Sequence, residues 1–212
     1  MLRIKKQEDP TLILQALAQL PPASLLQDLP DDHHKKATWI NLYNAFFLHL
    51  RRDQQVSKDR IYRERLIMVA GQSFSLDEIE HGILRRWRWK WSLGYLPAPF
   101  TRPLIRQLAV DHLDYRIHFA LNCGARGCPP IAFYRPDRLE QELDLATQSF
   151  LESETIVDAD TRTIHLTRLA RWYLGDFGGF RGLRHILHHQ LGLGTRGYRL
   201  RFREYDWTEE LG

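Results

Sequence analysis

The stretch HKKATWINLYNAFFLHLRR, residues 34–52, carries the strongest helix signal in the chain. Its apolar side chains recur at helical spacing and go nearly all the way round the helix axis: Trp39, Ile40, Leu42, Tyr43, Phe46, Phe47 and Leu50. A helix that is apolar on most of its faces has to be covered by neighbouring elements on several sides. We therefore predict a deeply buried helix around which the rest of the fold is arranged.

Two amide side chains, Asn41 and Asn44, interrupt this apolar helix. They are three residues apart and so share one face. A buried amide without partners costs about 1–3 kcal/mol, so we expect both to be hydrogen-bonded. In the structural interpretation, they hold the backbone of a loop or strand end. In the functional interpretation, one of them orients a catalytic imidazole or donates to an oxyanion.

Outward from this helix, the sequence predicts short helices and short strands. The elements predicted first are a helix at 10–20, two strands within 64–76, a helix at 77–87 that begins with the capping box Ser75–Glu78, and a strand at 115–122. They are followed by a helix at 135–153, a hairpin at 154–166, a helix at 168–179 closed by glycines, a helix at 180–191 and a strand at 197–207. The predicted class is α+β, a helix-rich single domain with a small antiparallel sheet. We assign residues 31–212 to this domain and residues 1–30 to an N-terminal helix and a proline-bounded linker.

Composition restricts the class of protein. Hydrophobic residues make up 43% of the 212-residue chain, which is enough for a core and argues against disorder. No apolar run approaches 18 residues, so no membrane span is predicted. The acidic QEDP near the N-terminus argues against a signal peptide, and two cysteines are too few for a secreted disulfide framework. We predict a cytoplasmic protein.

The formal net charge is +4, and the densest basic stretch is RRWRWKW, from Arg85 to Trp91. Such a stretch could stack bases and neutralise phosphates, or lie on an acidic surface. It could equally be a solvated helix end whose tryptophans pack on the body of the protein. No signature of a nucleic-acid-binding module accompanies it, so nucleic acid is not the partner that we predict.

Both cysteines lie in HFALNCGARGCPPI, residues 118–131. Alternation along the predicted strand puts Arg116 and His118 on its less apolar face, and Cys123 follows at the strand's end. Gly124 permits a positive φ and exposed backbone amides, which would favour a thiolate or an oxyanion. Cys128 precedes a proline and is therefore expected to be extended.

The helix predicted at 77–87 contributes two further candidates, Glu80 and His81. Adjacent residues of an α-helix point about 100° apart, so these two are not expected to serve one tight site together. A histidine on a half-buried helix is either a hydrogen-bonded boundary residue or a catalytic or ligand residue.

Four motifs, WINLYNAFF, LDEIEHGILR, YRIHFALNCGARGCPPI and IHLTRLARWYLGDFG, together resemble the domain-of-unknown-function family 547. They stand in the family's order over residues 38 to about 178. The resemblance implies that the following are pattern positions, without implying an activity: Asn41, Asn44, Glu80, His81, Arg116, His118, Cys123, Cys128, Pro129 and Pro130.

The leading functional hypothesis is a cysteine-dependent hydrolase or acyl transferase. Its nucleophile and base would act as they do in papain or transglutaminase, but the catalytic residues would stand in a different order along the chain. Cys123 would be the nucleophile, and His81 or His118 the base. Glu80, Asn41 or Asn44 would orient that base, Arg116 would anchor an anionic group of the substrate, and Gly124 would contribute to the substrate site. This hypothesis involves no metal and no cofactor, and its partner would be an unknown small molecule or peptide.

Three alternatives stay open at this point. The first is a non-catalytic structural or adaptor module that binds through Arg85 to Trp91. The second is a zinc site formed by Cys123, Cys128 and a histidine. The third is a redox dithiol, although the spacing is not C-x-x-C. The sequence supplies neither the substrate nor the oligomeric state.

Overall fold

Helix α3, Asp32–Leu48, is the centre of the fold, as the apolar pattern predicts. Its N-terminus is capped by Asp31, whose carboxylate accepts a hydrogen bond from the His34 N–H at 2.9 Å. The six consecutive residues 43–48 are all buried, so this part of the helix is covered on every face. The chain continues from α3 into a π-helical turn, His49–Asp53.

The computed structural model describes residue 4 and residues 6–211. The other α-helices are α1 (Thr11–Gln19), α2 (Ser24–Gln27), α4 (Lys58–Arg63), α5 (Pro103–Leu108), α6 (Leu139–Glu154), α7 (Leu169–Trp172) and α8 (Gly179–Leu191). The strands are β1 (Ile67–Val69), β2 (Gln72–Phe74), β3 (Ile156–Asp158), β4 (Thr163–Leu166) and β5 (Arg199–Phe202). A π-helix spans Glu78–Leu84, and 3₁₀-helices span Lys90–Ser92, Tyr115–Phe119 and Pro136–Arg138. The helix-rich α+β class is confirmed.

The buried side chains form two main clusters. The first surrounds α3 and includes the β1–β2 hairpin, the π-helix and α5, and Leu25 and Leu29 of the N-terminal segment pack into it. The second joins α6, β4, α7 and α8. Ile117 belongs to the first cluster and Phe119 to the second, so the chain passes between the two at His118.

The strand predicted at 115–122 is wrong. The structure has a 3₁₀-helix at Tyr115–Phe119, which begins where the Asp114 side chain accepts a hydrogen bond from the Arg116 N–H at 3.0 Å. The physical reason is burial on every side, because the four consecutive residues 117–120 are all buried between the two clusters. A strand with one polar face cannot bury four successive side chains. His118 therefore points into the protein, and not to a polar face.

The small antiparallel sheet is confirmed only in part. β1 and β2 form an antiparallel hairpin, and β3 pairs antiparallel with β4. β5, however, pairs parallel with β4, because α7 and α8 lie between these strands and form the crossover that a parallel pair requires. The capping box is confirmed: the Glu78 N–H donates to Ser75 Oγ at 3.2 Å, and the Ser75 N–H donates to a Glu78 carboxylate oxygen at 3.3 Å.

Candidate functional site

A cavity of about 450 Å³ is lined by residues of both clusters. Its wall includes six of the family's pattern positions: Glu80, His81, His118, Cys123, Cys128 and Pro129. Aromatic side chains form much of the remaining wall, among them Tyr43, Tyr173, Tyr205, Trp172 and Trp207. The fold thus brings residues that are far apart in sequence together around one cavity.

Glu80 and His81 face this same cavity, which corrects the expectation that neighbouring residues would diverge. They lie on the π-helix, where the Arg85 N–H donates to the Glu80 carbonyl at 2.9 Å, five residues back. A π-helix holds more residues per turn than an α-helix, so successive side chains diverge by a smaller angle. Glu80 Oε1 and His81 Nδ1 are 3.6 Å apart.

The Glu80 carboxylate is held by two tyrosines. The Tyr173 hydroxyl donates to Oε1 at 2.7 Å, and the Tyr43 hydroxyl donates to Oε2 at 3.2 Å. Burial opposes ionisation of this group, but the charge of His81 and the hydrogen bond from Tyr173 outweigh it, and the pKa of Glu80 is lowered. Glu80 is therefore a fixed anion in the cavity wall.

His118 is held from behind by a buried ion pair. Its Nε2 lies 2.8 Å from Asp176 Oδ2, and its ring stacks on Tyr173 with centroids 3.9 Å apart. Asp176 also accepts from Arg85 Nε at 2.6 Å, and both of these side chains have 0% exposure. Within the described residues, no group bonds to His118 Nδ1. An imidazole oriented by a carboxylate with its second nitrogen unoccupied is arranged to transfer a proton.

Both cavity histidines are held in the neutral form. Burial lowers the pKa of His118, against the opposing effect of Asp176, and burial likewise lowers the pKa of His81, against the opposing charge of Glu80. A neutral imidazole at neutral pH can accept a proton, as a general base must.

These lowered pKa values predict acid sensitivity of the fold. Below about pH 6.5 a histidine of the unfolded chain takes up a proton, whereas the same histidine stays neutral in the folded protein down to its lower pKa. The unfolded state then binds more protons, so stability decreases as the pH falls through this window. We expect the free energy of unfolding to drop by up to about 1.4 kcal/mol per pH unit for each of His81 and His118.

Urea denaturation between pH 7 and pH 5 measures this slope. The His118→Gln variant should lose about half of it, whereas His185→Gln, which removes an exposed histidine away from the cavity, should keep it. A slope that is the same in wild type and His118→Gln would contradict the prediction.

The two cysteines are joined as a disulfide, with their Cα atoms 6.2 Å apart. The Tyr205 hydroxyl lies 3.4 Å from Cys123 Sγ and 3.1 Å from Cys128 Sγ. Across the described residues, neither sulfur is hydrogen-bonded to a histidine nitrogen, so the expected thiol–imidazole contact is not made in this oxidised state. The zinc alternative required two free sulfurs and does not fit this pairing.

The glycine-loop amides expected to receive an oxyanion are already bonded. The Gly124 N–H donates to Asn122 Oδ1 at 2.7 Å, and the Cys128 N–H donates to the Ala125 carbonyl at 2.9 Å. The Cys123 N–H donates to Cys128 Sγ at 3.0 Å. Burial raises the pKa of Tyr205, which keeps its hydroxyl protonated and makes it the better-placed donor beside the sulfurs.

Asn41 and Asn44 bond to the backbone on either side of the disulfide loop. Asn44 Nδ2 donates to the Ala120 carbonyl at 2.8 Å and its Oδ1 accepts from the Asn122 N–H at 2.9 Å. Asn41 Nδ2 donates to the Tyr134 carbonyl at 2.7 Å, and its Oδ1 accepts from the Tyr134 N–H at 3.0 Å. Neither amide contacts an imidazole, so these contacts agree with the structural interpretation.

Arg116 lies outside the cavity. Its guanidinium pairs with Asp114 at 2.7 Å, with Glu140 at 2.7 Å and with Asp144 at 2.8 Å. These carboxylates raise the pKa of Arg116 and occupy its donors, so the group does not offer an anion site to a substrate. Gly124 is likewise absent from the cavity wall. A Cβ built on it would lie 2.8 Å from the side chains of Phe47 and Leu211, so this residue packs against them instead.

Five residues that hold or line the site had no predicted role in it: Tyr43, Arg85, Tyr173, Asp176 and Tyr205. Arg85 is the first residue of the basic stretch that ends at Trp91, yet its side chain is fully buried and forms an ion pair with Asp176. Tyr173 and Asp176 stand in the motif RWYLGDFG, which carried no assigned role although it holds a carboxylate in an otherwise apolar setting. Tyr205 had no local signal at all.

Residues 26–151 match the sequence profile of the family described as Protein of unknown function, DUF547. The chain belongs to the DUF547 family. The matched part contains Glu80, His81, His118 and both cysteines, whereas Asp176 and Tyr205 lie C-terminal to it. No curated protein and no solved structure matches the chain. The DUF547 match therefore supports the motifs without assigning them an activity.

The described residues contain neither a metal-ligand cluster nor a membrane-spanning helix. No group of three or more histidine, cysteine or acidic side chains within residues 4 and 6–211 is placed to hold a metal ion. None of the helices within these residues combines the length and the apolar character needed to cross a membrane.

Proposed function

We propose that this DUF547 protein is a thiol-dependent hydrolase or acyl transferase that acts when its disulfide is reduced. The observation that carries the proposal is that Cys123 and His118 line the same cavity, and that Asp176 holds His118 from behind. A thiol nucleophile, an imidazole and a carboxylate that orients it are the groups that covalent acyl transfer requires.

Reduction has to come first, because a disulfide sulfur is not a nucleophile. A dithiol reductant would supply two electrons and two protons, so that Cys123 and Cys128 become thiols and the reductant becomes a disulfide. Disulfides of cytoplasmic proteins are usually transient, catalytic or redox-sensing. The predicted cytoplasmic location is therefore compatible with a pair that is reduced for activity.

In the reduced protein, Cys123 would transfer its proton to His118 and attack the carbonyl carbon of an ester, thioester or amide. The Tyr205 hydroxyl, beside the sulfur, would donate to the oxyanion. His118 would then protonate the leaving group, which leaves an acyl group on Cys123 until water or another acceptor removes it. Asp176 stabilises the imidazolium in both steps.

The alternative function is a non-catalytic binding module. It is favoured by the aromatic wall of the cavity, in which Trp172, Tyr205 and Trp207 form one cluster with ring centroids 4.7–5.4 Å apart. Such a wall could hold a ligand without reacting with it. Thiol reactivity separates the two functions.

We expect Cys123 of the reduced, folded protein to be alkylated by iodoacetamide near pH 6, well below the midpoint of about 8.5 for an unperturbed thiol. The reason is that the thiol freed by reduction transfers its proton to the neutral His118, and the resulting thiolate and imidazolium stabilise each other. The Cys128→Ser background isolates Cys123, and mass spectrometry follows the rate. His118→Ala should slow alkylation at pH 6 by about tenfold or more.

His185→Ala, which removes a histidine away from the cavity, should leave this rate unchanged. Without reductant, wild-type protein should not react. If Cys123 in the folded, reduced protein titrates near the ordinary thiol value and His118→Ala does not change it, the nucleophile assignment fails and the cavity is better explained as a binding site.

A further inference from the structure

One segment beside the cavity exposes an unusual amount of apolar surface. Among the described residues, six of the seventeen exposed large hydrophobic side chains lie within residues 89–100. They are Trp89, Trp91, Leu93, Tyr95, Leu96 and Phe100. Phe100 is 94% exposed and Trp91 is 74% exposed. Large exposed apolar side chains concentrated in one segment are typical of an interaction site.

The backbone of this segment is ordered as a hairpin. The Trp89 N–H donates to the Leu96 carbonyl at 2.9 Å, and the Ala98 N–H donates to the Trp87 carbonyl at 2.7 Å. The turn of the hairpin is tied to the body of the protein, because the Gly175 N–H donates to the Leu93 carbonyl at 2.7 Å. The exposed side chains are therefore presented by a fixed scaffold, which lowers the entropy lost on binding.

The same surface is strongly basic. Its cations are Arg65, Arg86, Arg88, Lys90, Arg102 and Arg106. Among the described residues, two carboxylates pair with them: Glu78 pairs with Arg65 and Arg102, and Asp77 pairs with Lys90. Arg86 and Arg106 flank the Trp87 ring, with their Cζ atoms 5.3 Å and 5.9 Å from its centroid. Six cations against two carboxylates leave this surface complementary to an anionic partner.

We propose that this basic-aromatic hairpin, residues 86–102, docks on the surface of a lipid bilayer that carries anionic headgroups. Tryptophan and tyrosine favour the membrane–water interface, because their rings are apolar and their N–H or O–H groups reach water. Arginine and lysine next to them are attracted by anionic headgroups. The six exposed side chains of the hairpin, at 41–94% exposure, are accessible to such an interface.

A cleft at the base of the hairpin suits a single headgroup. It has a volume of about 320 Å³, and its wall combines cations, aromatic rings and the carboxylates of Asp77 and Glu78. The cations are Arg65, Arg88, Lys90 and Arg102, and the rings are those of Trp87, Trp89 and Phe100. Four cations against two carboxylates leave the cleft with an excess of positive charge, which suits a phosphate headgroup. Trp91 and Leu93 of the hairpin also line the cavity of the candidate site. If the proposed function holds, docking would present lipid-borne acyl groups to that cavity.

Co-sedimentation of the intact chain with phosphatidylcholine vesicles, with and without phosphatidylserine, tests the docking. We expect binding to the anionic vesicles only, weakened by added salt. The double variant W91S/F100S should weaken it by about tenfold or more, because two exposed rings no longer enter the interface. The matched control Phe133→Ser removes a loop phenylalanine that is 57% exposed and lies outside the hairpin, and should bind like wild type.

Three results would overturn the proposal. The first is no binding to anionic vesicles. The second is salt-sensitive binding that W91S/F100S leaves unchanged, which would indicate charge attraction alone. The third is tight binding of a single-stranded oligonucleotide that needs Trp91 and Phe100 while vesicles do not bind, which would assign the surface to nucleic acid. The assay needs no turnover, so its outcome is independent of whether Cys123 proves to be a nucleophile.

Discussion

Asp176→Asn is expected to lower the free energy of unfolding by about 3–5 kcal/mol, because it leaves a buried charge without its counter-ion. The Arg85 guanidinium has 0% exposure, and its Nε lies 2.6 Å from the Asp176 carboxylate. The asparagine keeps the shape of the side chain, so the loss comes from charge and not from a cavity. Urea denaturation at pH 7 measures it.

A double-mutant cycle isolates the pair. Arg85→Met alone leaves the Asp176 carboxylate buried without a counter-ion, whereas R85M/D176N replaces both charges. The double variant should therefore lose clearly less stability than the sum of the losses in the two single variants. Asp144→Asn serves as the exposed control: its carboxylate contacts Arg116 at 2.8 Å but is 54% exposed, and its loss should cost about 0–1 kcal/mol. Additive single costs would refute the coupling of Arg85 and Asp176.

Gly94→Ala is expected to destabilise the fold by about 2–5 kcal/mol, through strain at a positive φ and through collision with Asp176. Gly94 has φ +86°, and a Cβ built there would lie 2.9 Å from both the backbone nitrogen and Cγ of Asp176. The hairpin turn approaches the site this closely only because the residue has no side chain. The methyl group would push the carboxylate away from Arg85 and His118.

Gly71→Ala is the matched control for this variant. Gly71 also has a positive φ, +67°, but no atom lies within 4 Å of the position that a Cβ would take. It should therefore show the conformational cost alone, about 1–2 kcal/mol. If the two alanine variants unfold at the same denaturant concentration, the collision with Asp176 contributes nothing and the close approach is unimportant for stability.

Signals between sequence neighbours predicted much of the fold. The central helix follows from apolar spacing within residues 34–52, and the helix start at Glu78 follows from Ser75 three residues before it. The same logic required partners for Asn44, because an amide on that helix is buried whatever surrounds it. For the candidate site, the motifs selected Glu80, His81, His118 and Cys123, which do line one cavity.

The strand predicted at 115–122 shows where local pattern fails. Alternation assumed that His118 would face a polar side, yet two clusters close over residues 117–120 from both directions. Whether one or two sides of a segment are covered depends on elements far away in sequence. Here the cluster around α3 covers one side of the segment, and the cluster that includes α6 and α8 covers the other. The same holds for β5, whose parallel pairing with β4 follows from the crossover through two helices.

The sequence by itself determined which elements form, where several of them begin, and which polar residues had to find partners, because periodicity, capping and burial act between near neighbours. Which residues serve as those partners was decided only by the tertiary structure. His118 meets a carboxylate 58 residues away, and Arg85 meets the same carboxylate across 91 residues. A buried charge selects its counter-ion by packing, and packing is set by the whole chain, so no local pattern could have joined Arg85, His118 and Asp176 into one site.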